Sequence, residues 1–534
     1  MPDGGVQART MAEALLAELA RRGTRRIWGV PGGGSSLDLV EAAPRFGLSF
    51  VLARHEGAAA MAAVADAELT GAPGVVLTTK GPGVANALNG LACATLERAP
   101  VLLVSDGFTA RQSAFVTHQA FDQRAMTAEL VKGHARGETG GVAALLDLAM
   151  AAPRGAVHLD LTGEAARRPP VAEPPGAAAP PAPDGGDAAA LLRAARRPVI
   201  LAGLEAAEEG SAAALLALAE ALHCPVLVTY KAKGVLPDAH PLHAGIFTGG
   251  TLEAACVGAA DLIIQAGLDP VELIPQPWRY AAPILDVALR PHPVRYAEPA
   301  AARHGPVAAS LRALLPLAAR SDWTAEEVAA HRAAALAALA WAGGGGIAPP
   351  DIVTIAQEEA RAAGRAPRVS VDAGAHMFSA TAFWQCAAPR DLLISNGLAT
   401  MGFALPAGIA AALHDPARGA IAFTGDGGLM MCAGELATAA EAGAPLVTVV
   451  FNDAALSLID IKQQQRQLPT AGVRWARPDL AAVARGFGVH GHVATDAAEY
   501  RAALRAAFAQ PGPSLIDVHL DPAGYPAQLQ ALRG

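Results

Sequence analysis

The sequence has few cysteines and few aromatic residues, and it has no basic stripe or Lys/Arg-rich arm. Its five cysteines are scattered along 534 residues and form no CxxC pair. This scatter argues against a disulfide framework or a zinc site and favours a reducing compartment. The formal net charge is −8. Nucleic acid is therefore not an expected partner.

The sequence also lacks the long apolar runs that membrane proteins need. The first residues, Met1 to Met11, contain no apolar stretch of the kind found in a secretory signal. No uncharged apolar run approaches the length of a membrane-spanning helix, which is about 20 residues. We therefore expect a cytoplasmic protein with no membrane partner.

Small apolar residues are abundant. Apolar residues make up 52 % of the sequence, mostly Ala, Val and Leu, whereas aromatic residues make up only 4 %. This composition favours helices that pack closely on buried parallel sheets. Short apolar runs that alternate with helical stretches predict strands at 26–30, 75–79, 101–105, 156–161, 198–202, 225–229, 262–265, 283–286, 368–371, 391–394, 419–424, 446–452 and 514–519.

The alternation of strands and helices predicts an α/β fold of three tandem domains, each a parallel sheet flanked by helices. A segment crowded with Pro and Ala, and an Ala-rich segment that ends in four glycines, are expected to be linkers. The predicted division is an N-terminal domain at 1–167, a linker at 168–186, a central domain at 187–320, a second linker at 321–347 and a C-terminal domain at 348–534.

The most informative segment is a predicted strand that runs directly into Gly425, Asp426, Gly427 and Gly428 and then into a helical pattern. Glycines at such a turn let the backbone approach a ligand, and the following helix offers free N–H groups to a phosphate. Taken alone, the segment is equally typical of a simple tight connection. A second predicted strand ends in Asn452-Asp453, and neighbouring strands would place both aspartates at one sheet edge, as a Mg²⁺ site requires.

This pair of segments resembles the diphosphate-binding motif of thiamine diphosphate enzymes, in the branch of the acetolactate synthases and benzoylformate decarboxylases. The resemblance implies that Mg²⁺ is bound by Asp426, Asp453 and the backbone carbonyl of Ala455. It also implies that Gly425, Gly427 and Gly428 contact the diphosphate. The sequence departs from the family by having Asp453 where asparagine is usual, and an aspartate is still an oxygen ligand.

A second element resembles the same family. A strand-like run ends in His55-Glu56-Gly57, and a Thr-x-Gly-Pro-Gly-x-x-Asn loop at 79–86 contains Pro82 and Asn86. By itself, Glu56 could be a solvated acid at a helix start, stabilised by the helix dipole. The resemblance instead implies that Glu56 hydrogen-bonds the aminopyrimidine ring and activates the cofactor, and that Pro82 and Asn86 lie beside the cofactor.

Four further matches lie outside these elements. Met401 lies in a match to the family segment that bends the cofactor, although an ordinary core methionine has the same appearance. His376 ends an Asp-Ala-Gly-Ala-His segment that resembles a diphosphate-contacting loop. Gly33 lies in a Pro-Gly-Gly loop that faces the substrate in acetolactate synthases, and His118 and Gln119 fall where those enzymes carry Phe-Gln. The alternative for these loop residues is a hydrogen-bonded loop without a catalytic role.

Other positions depart from the family. Lys80 lies next to the Gly-Pro-Gly loop, and Lys462 aligns with a tryptophan that shapes specificity in acetohydroxyacid synthases. Both lysines would suit an anionic substrate tail, but solvated surface lysines are an equal alternative. The central domain reads Gly267-Leu-Asp-Pro where flavin-binding relatives have an arginine-containing turn. We therefore expect no functional FAD.

The resemblance implies an enzyme that requires thiamine diphosphate and Mg²⁺ and acts on small 2-oxo acids. The main prediction is an acetolactate synthase-like carboligase, which decarboxylates a donor and joins the resulting enamine to a second carbonyl. The alternatives are a 2-oxo-acid decarboxylase that releases an aldehyde and a non-catalytic paralogue that binds the cofactor. A nicotinamide dehydrogenase is disfavoured, because the dinucleotide fingerprint is missing. The resemblance also implies a homodimer or homotetramer with active sites between subunits.

Overall fold

The computed structural model describes residues 7–171, 184 and 186–534. These residues form three six-stranded sheets in which all neighbouring strands are parallel. The predicted α/β fold with three parallel sheets is therefore confirmed. Most of the predicted linker at 168–186 lies outside the described residues. Within the described part of the chain, no helix is long and apolar enough to cross a membrane.

The N-terminal sheet has the strand order β2-β1-β3-β4-β6-β5. Its strands are β1 Arg26–Val30, β2 Ser49–Leu52, β3 Gly74–Thr78, β4 Val101–Asp106, β5 His134–Arg136 and β6 Val157–Leu161. Its helices are α1 Met11–Arg21, α2 Ser35–Ala42, α3 Glu56–Thr70, α4 Pro82–Leu96, α5 Ala110–Ser113, α6 Gln123–Thr127, α7 Val142–Met150 and α8 Gly163–Ala166.

The central sheet has the order β12-β11-β10-β7-β8-β9. Its strands are β7 Pro198–Ala202, β8 Val226–Val228, β9 His243–Ile246, β10 Leu262–Ala266, β11 Ile284–Ala288 and β12 Ala301–His304. The helices packed around it are α9 Ala188–Ala194, α10 Ser211–Leu222, α11 Ala254–Gly258 and α12 Val307–Leu314.

The C-terminal sheet has the order β14-β13-β15-β16-β18-β17. Its strands are β13 Arg368–Val371, β14 Leu392–Ile394, β15 Ala420–Gly425, β16 Leu446–Asn452, β17 His490–Ala494 and β18 Ser514–His519. The helices of this part are α13 Ala325–Leu339, α14 Pro349–Ala362, α15 His376–Phe383, α16 Ala404–His414, α17 Asp426–Cys432, α18 Glu435–Glu441, α19 Ser457–Gln465, α20 Leu480–Gly486, α21 Ala497–Ala509 and α22 Tyr525–Arg533.

Small residues let the N- and C-terminal sheets share one core. Helix α3 is rich in alanine and is buried along most of its length. It packs on α4 and also on α16 of the C-terminal part. A Cβ placed on Gly90 of α4 would come within 2.2 Å of Ala60 Cβ on α3, so this helix pair needs glycine at the crossing. The close packing fixes α3, whose first residue is Glu56.

Candidate active site

A cavity of about 200 Å³ opens at the carboxyl ends of β15 and β16. This is the edge of a parallel sheet at which α/β folds bind ligands. Eight residues that the sequence singled out for cofactor or metal binding line the cavity together: His376, Met401, Gly425, Asp426, Gly427, Gly428, Asp453 and Ala455. Every residue of the C-terminal part that was predicted to bind the cofactor or the metal therefore lines this one cavity.

The two aspartates come together because β15 and β16 are neighbours in register. Gly425, the last residue of β15, pairs with Phe451 of β16, so the chain leaves both strands at the same level. Asp426 then starts α17, and its Oδ1 accepts a hydrogen bond of 3.0 Å from the Gly427 amide. Asp453 accepts a short hydrogen bond from the Ser457 hydroxyl.

The turn at the start of α17 has little room for side chains, which explains its glycines. A Cβ on Gly428 would lie 2.1 Å from Asp372 Oδ2, and a Cβ on Gly427 would lie 3.3 Å from Met401 Cε. The Asp372 carboxylate is buried and accepts hydrogen bonds from the amides of Gly402 and Phe403. The start of α17 is thus pressed against a fixed carboxylate, and a larger side chain at Gly428 would force the two apart.

Burial shifts the pKa values of three side chains that line this cavity. Burial and, next, the neighbouring Asp453 raise the pKa of Asp426 to about 7, and burial also raises the pKa of Asp453. On the other wall, burial lowers the pKa of His376 to about 4. Its Nε2 has no hydrogen-bond partner among the described residues. Two crowded carboxyl groups and a free imidazole nitrogen suit a divalent cation that carries a phosphate group.

Trp475 belongs to this site and was not identified from the sequence. Its indole Nε1 donates a hydrogen bond of 3.2 Å to Asp426 Oδ2. The backbone bridge between Ala455 and Arg474 holds the tryptophan against the loop that follows β16, and the Trp475 amide donates to the Ala454 carbonyl at 3.2 Å. Trp475 therefore fixes the orientation of the Asp426 carboxylate.

The N-terminal sheet positions a second group of predicted residues. Glu56 follows β2 and starts α3, and its side chain is 7 % exposed, so it is not a solvated helix-start acid. Asn86 Nδ2 donates a hydrogen bond of 3.0 Å to Glu56 Oε2. Pro82 is the first residue of α4 and precedes Gly83, on which a Cβ would lie 3.3 Å from Glu56 Oε1. Glu56, Pro82 and Asn86 therefore lie close together, with Glu56 buried and the other two exposed.

Comparison with known protein families decides what these two sites have in common. The chain matches the thiamine pyrophosphate enzyme N-terminal TPP binding domain over residues 9–128, the central domain over 186–314 and the C-terminal TPP binding domain over 372–518. This chain belongs to the thiamine pyrophosphate enzyme family. The resemblance predicted from the motifs is confirmed, and thiamine diphosphate is the cofactor to which the matched domains correspond.

Individual relatives of this thiamine pyrophosphate enzyme cover almost its whole length. It is 31 % identical to a probable 2-ketoarginine decarboxylase of Pseudomonas aeruginosa, over 95 % of this chain and 94 % of that protein. It is 27 % identical to an acetolactate synthase of Bacillus subtilis, over 96 % and 93 % of the two chains. It is 28 % identical to a probable acetolactate synthase large subunit of Methanocaldococcus jannaschii, over 96 % and 92 %.

In this thiamine pyrophosphate enzyme the Pro-Gly-Gly loop is held by a carboxylate. Asp106, the last residue of β4, accepts hydrogen bonds from the amides of Gly34 and Ser36 at 3.2 and 3.1 Å, and from the Ser35 hydroxyl at 2.7 Å. A Cβ on Gly33 would meet no atom within 4 Å, so the space next to this residue is open. Asp106 was not identified from the sequence, although it ends a strand at the ligand edge of the sheet.

Gln119 and His118 lie in an exposed loop between α5 and α6. Gln119 has a positive φ of 58°, and its carbonyl oxygen would lie 2.8 Å from a Cβ on Gly81. The structure therefore places Gln119 against the Gly-Pro-Gly loop. His118 is exposed and belongs to the same loop.

The two lysines that depart from the family occupy different environments. The Lys80 ammonium lies 5.2 Å from the centre of the Phe108 ring, close enough for a cation–π contact. Lys462 is exposed on α19. Exposure of Lys462 favours the solvated alternative for that residue, whereas Lys80 packs on a ring near the Gly-Pro-Gly loop.

The two predicted half-sites use different parts of the thiamine pyrophosphate enzyme. The hydrogen bond to the Glu56 carboxylate comes from Asn86 of the N-terminal part. The cavity around Asp426 is lined only by residues from 373 to 459 and by Tyr525. Each half offers what the other lacks: an acid in one, and a cradle for a metal and a phosphate in the other.

Proposed function

We propose that this chain is an enzyme that depends on thiamine diphosphate and Mg²⁺ and acts on 2-oxo acids. In the proposed reaction it removes CO₂ from a donor and joins the remaining acyl unit to a second carbonyl. The observation that carries this proposal is the contact between buried Glu56 and Asn86 in the N-terminal part, combined with the paired aspartates of the C-terminal cavity. Relatives named acetolactate synthase favour the carboligase. The relative named as a probable decarboxylase supports simple decarboxylation as the second candidate.

The proposed cofactor contacts follow from the donor atoms. Asp426, Asp453 and the backbone carbonyl of Ala455 would hold Mg²⁺, because this ion prefers one or two carboxylates together with phosphate oxygens. The turn Gly425, Gly427 and Gly428 would hold the diphosphate, assisted by the free Nε2 of His376. Met401 would contact the rings of the cofactor, since its Cε lies beside the Gly427 backbone.

Glu56 is the proposed catalytic acid. When bound, thiamine diphosphate supplies the carbon nucleophile and the electron sink. The Glu56 carboxyl group would hydrogen-bond the aminopyrimidine nitrogen, with Asn86 fixing the carboxyl orientation from the other side. Burial excludes water, which strengthens this hydrogen bond. The Gly33 amide and the Gln119 side chain would stabilise and orient the substrate carbonyl.

The active site is proposed to form between two chains of a homodimer or homotetramer. Glu56 and the Asp426 cavity occupy separate parts of one chain, so a second copy would complete each site. Large apolar side chains are exposed close to both halves, with Phe115 71 % exposed near the Gln119 loop and Met431 65 % exposed on α17. A cytoplasmic location is proposed as well. Sedimentation of an active species at the monomer mass would contradict the shared site.

Product analysis tests the proposed reaction. We expect the enzyme loaded with thiamine diphosphate and Mg²⁺ to consume a 2-oxo acid and to form a product with a new carbon–carbon bond. Mass spectrometry after incubation with pyruvate alone would detect a five-carbon acid for the carboligase and acetaldehyde for the decarboxylase. A panel of other 2-oxo acids extends the test to longer donors. Cofactor binding without turnover of any 2-oxo acid would indicate the non-catalytic paralogue.

Replacing Trp475 by phenylalanine is expected to weaken Mg²⁺ binding by about 10- to 100-fold, the usual effect of losing a partner that orients a metal ligand. The substitution removes the indole N–H that donates to Asp426 Oδ2 but keeps an aromatic ring. Titration of Mg²⁺ into the protein with thiamine diphosphate, followed by tryptophan fluorescence and by retained cofactor, measures the effect. Trp278→Phe in the central domain is the matched control. Equal Mg²⁺ affinity in the two variants would contradict this role.

A further inference from the structure

A second cavity, of about 520 Å³, lies at the carboxyl ends of β4, β6 and β5. It is separate from the Asp426 cavity, since it is lined by residues from 107 to 162 of the N-terminal part. Two of its wall residues are His134 on β5 and Asp160 on β6. The proposed reaction uses neither of them.

The strand register brings a third side chain to these two. Strand β5 pairs in parallel with β6, with His134 opposite His158 and Arg136 opposite Asp160. Residues two apart on a strand point to the same face, so His158 and Asp160 share a face of β6. His134, His158 and Asp160 each offer one ligand atom, and these atoms all lie within 4.8 Å of one another.

The separations suit a small divalent ion. His158 Nε2 lies 3.3 Å from Asp160 Oδ1, and His134 Nε2 lies 2.8 Å from Asp160 Oδ2. Ligand atoms about 2.0–2.1 Å from a tetrahedral ion are about 3.3 Å apart. The first pair already has this spacing. The second pair is joined by a hydrogen bond, and an ion would replace the proton that the two atoms share.

Hydrogen bonds from neighbouring side chains hold His158 and Asp160 in place. Such hydrogen bonds orient the ligands in known metal sites. Thr127 Oγ1 lies 3.1 Å from His158 Nδ1, and Ser105 Oγ lies 2.8 Å from His158 Nε2. An ion at Nε2 would therefore replace the contact with Ser105, while Thr127 keeps the ring in place. Ser105 Oγ and Gln123 Nε2 each donate a hydrogen bond of 2.7 Å to Asp160 Oδ1.

We propose that His134, His158 and Asp160 bind a divalent transition-metal ion of the Zn²⁺ or Co²⁺ type. Two imidazoles and one carboxylate are the donor set that such ions prefer, whereas Mg²⁺ prefers oxygen ligands. Three protein ligands leave the ion a further coordination position, and the 520 Å³ cavity gives a water molecule or a small anion access to it.

Cobalt binding tests this site. The full-length, untagged protein is loaded with thiamine diphosphate and excess Mg²⁺, and Co²⁺ is then titrated while visible absorption is recorded. A four-coordinate ion with imidazole ligands absorbs more strongly than one bound by six oxygens. We expect one equivalent of strongly absorbing Co²⁺ that Zn²⁺ displaces, and at least a tenfold loss of affinity in His134→Asn.

The controls keep this test independent of folding and of the proposed reaction. His134→Asn retains a side-chain donor for Asp160, and unchanged cofactor binding would establish that the variant folds. His490→Ala, an exposed histidine of β17, should bind Co²⁺ as the wild type does. The proposal is overturned if the wild type gains no absorbing Co²⁺, or if His134→Asn binds it equally well; the three residues then form a hydrogen-bonded cluster only. Absorption is read without a 2-oxo acid, so an inactive enzyme leaves this result unaffected.

Discussion

Replacing Glu56 by glutamine is expected to lower kcat by about 10²- to 10⁴-fold, the usual contribution of a positioned acid–base group. The carboxyl group is buried, and its one side-chain partner among the described contacts is Asn86. Glutamine has the same size and still offers an oxygen to Asn86 Nδ2. The substitution therefore removes the acid and leaves the packing of α3 intact.

Two measurements separate this effect from unfolding or loss of cofactor. Thermal unfolding and thiamine diphosphate binding of Glu56→Gln should stay close to wild type, while single-turnover decarboxylation slows. Glu326→Gln is the matched control, because Glu326 also lies in the first turn of a helix but is exposed. Its kcat should not change. Wild-type turnover in Glu56→Gln would exclude Glu56 as the activating acid.

The buried strands could be predicted from the sequence, whereas four of the six edge strands could not. The strands that the apolar runs did not indicate are β5, β9, β12 and β17, and each is an edge strand of its sheet. The other two edge strands, β2 and β14, were indicated by their apolar residues, and β14 is fully buried. An edge strand is covered on one side only, so its side chains need not be uniformly apolar. In β17, for example, two of the five residues are exposed and only the last one is buried. The signal that identifies a buried parallel strand is therefore absent from these segments.

A similar limit applies to the candidate site. Asp426 and Asp453 could be found because each directly follows an apolar strand, and β15 and β16 are neighbours. Trp475 could not be found in this way, since it follows no strand and is brought to Asp426 by the bridge between the preceding Arg474 and Ala455. Asp106 could have been found in the same way as the two aspartates, because it ends the apolar strand β4 at the edge of the sheet where ligands bind. Residues that act through another side chain leave a weaker pattern than the residues that they position.

The two aspartates of the C-terminal cavity are expected to respond differently to substitution. Asp426→Ala should lower Mg²⁺ affinity by at least about 100-fold, because losing a ligand costs more than losing a partner that orients it, which itself costs about 10- to 100-fold. Asp453→Asn should cost less than about tenfold. An asparagine keeps an oxygen ligand for Mg²⁺ and still accepts a hydrogen bond from Ser457.

The contrast between these variants tests whether Asp453 acts as an oxygen donor or through its charge. In the protein without metal, Asp453 is the second cause, after burial, of the raised pKa of Asp426. Asp453→Asn removes the repulsion between the two carboxylates. This gain offsets part of the electrostatic attraction for Mg²⁺ that is lost with the Asp453 charge. Isothermal titration of Mg²⁺ in the presence of thiamine diphosphate measures both affinities, and circular dichroism establishes that both variants fold. If Asp426→Ala retains wild-type affinity, the ion is not held at this turn. If Asp453→Asn loses as much as Asp426→Ala, the site needs the second negative charge, and the difference from the asparagine usual in the family is then functional.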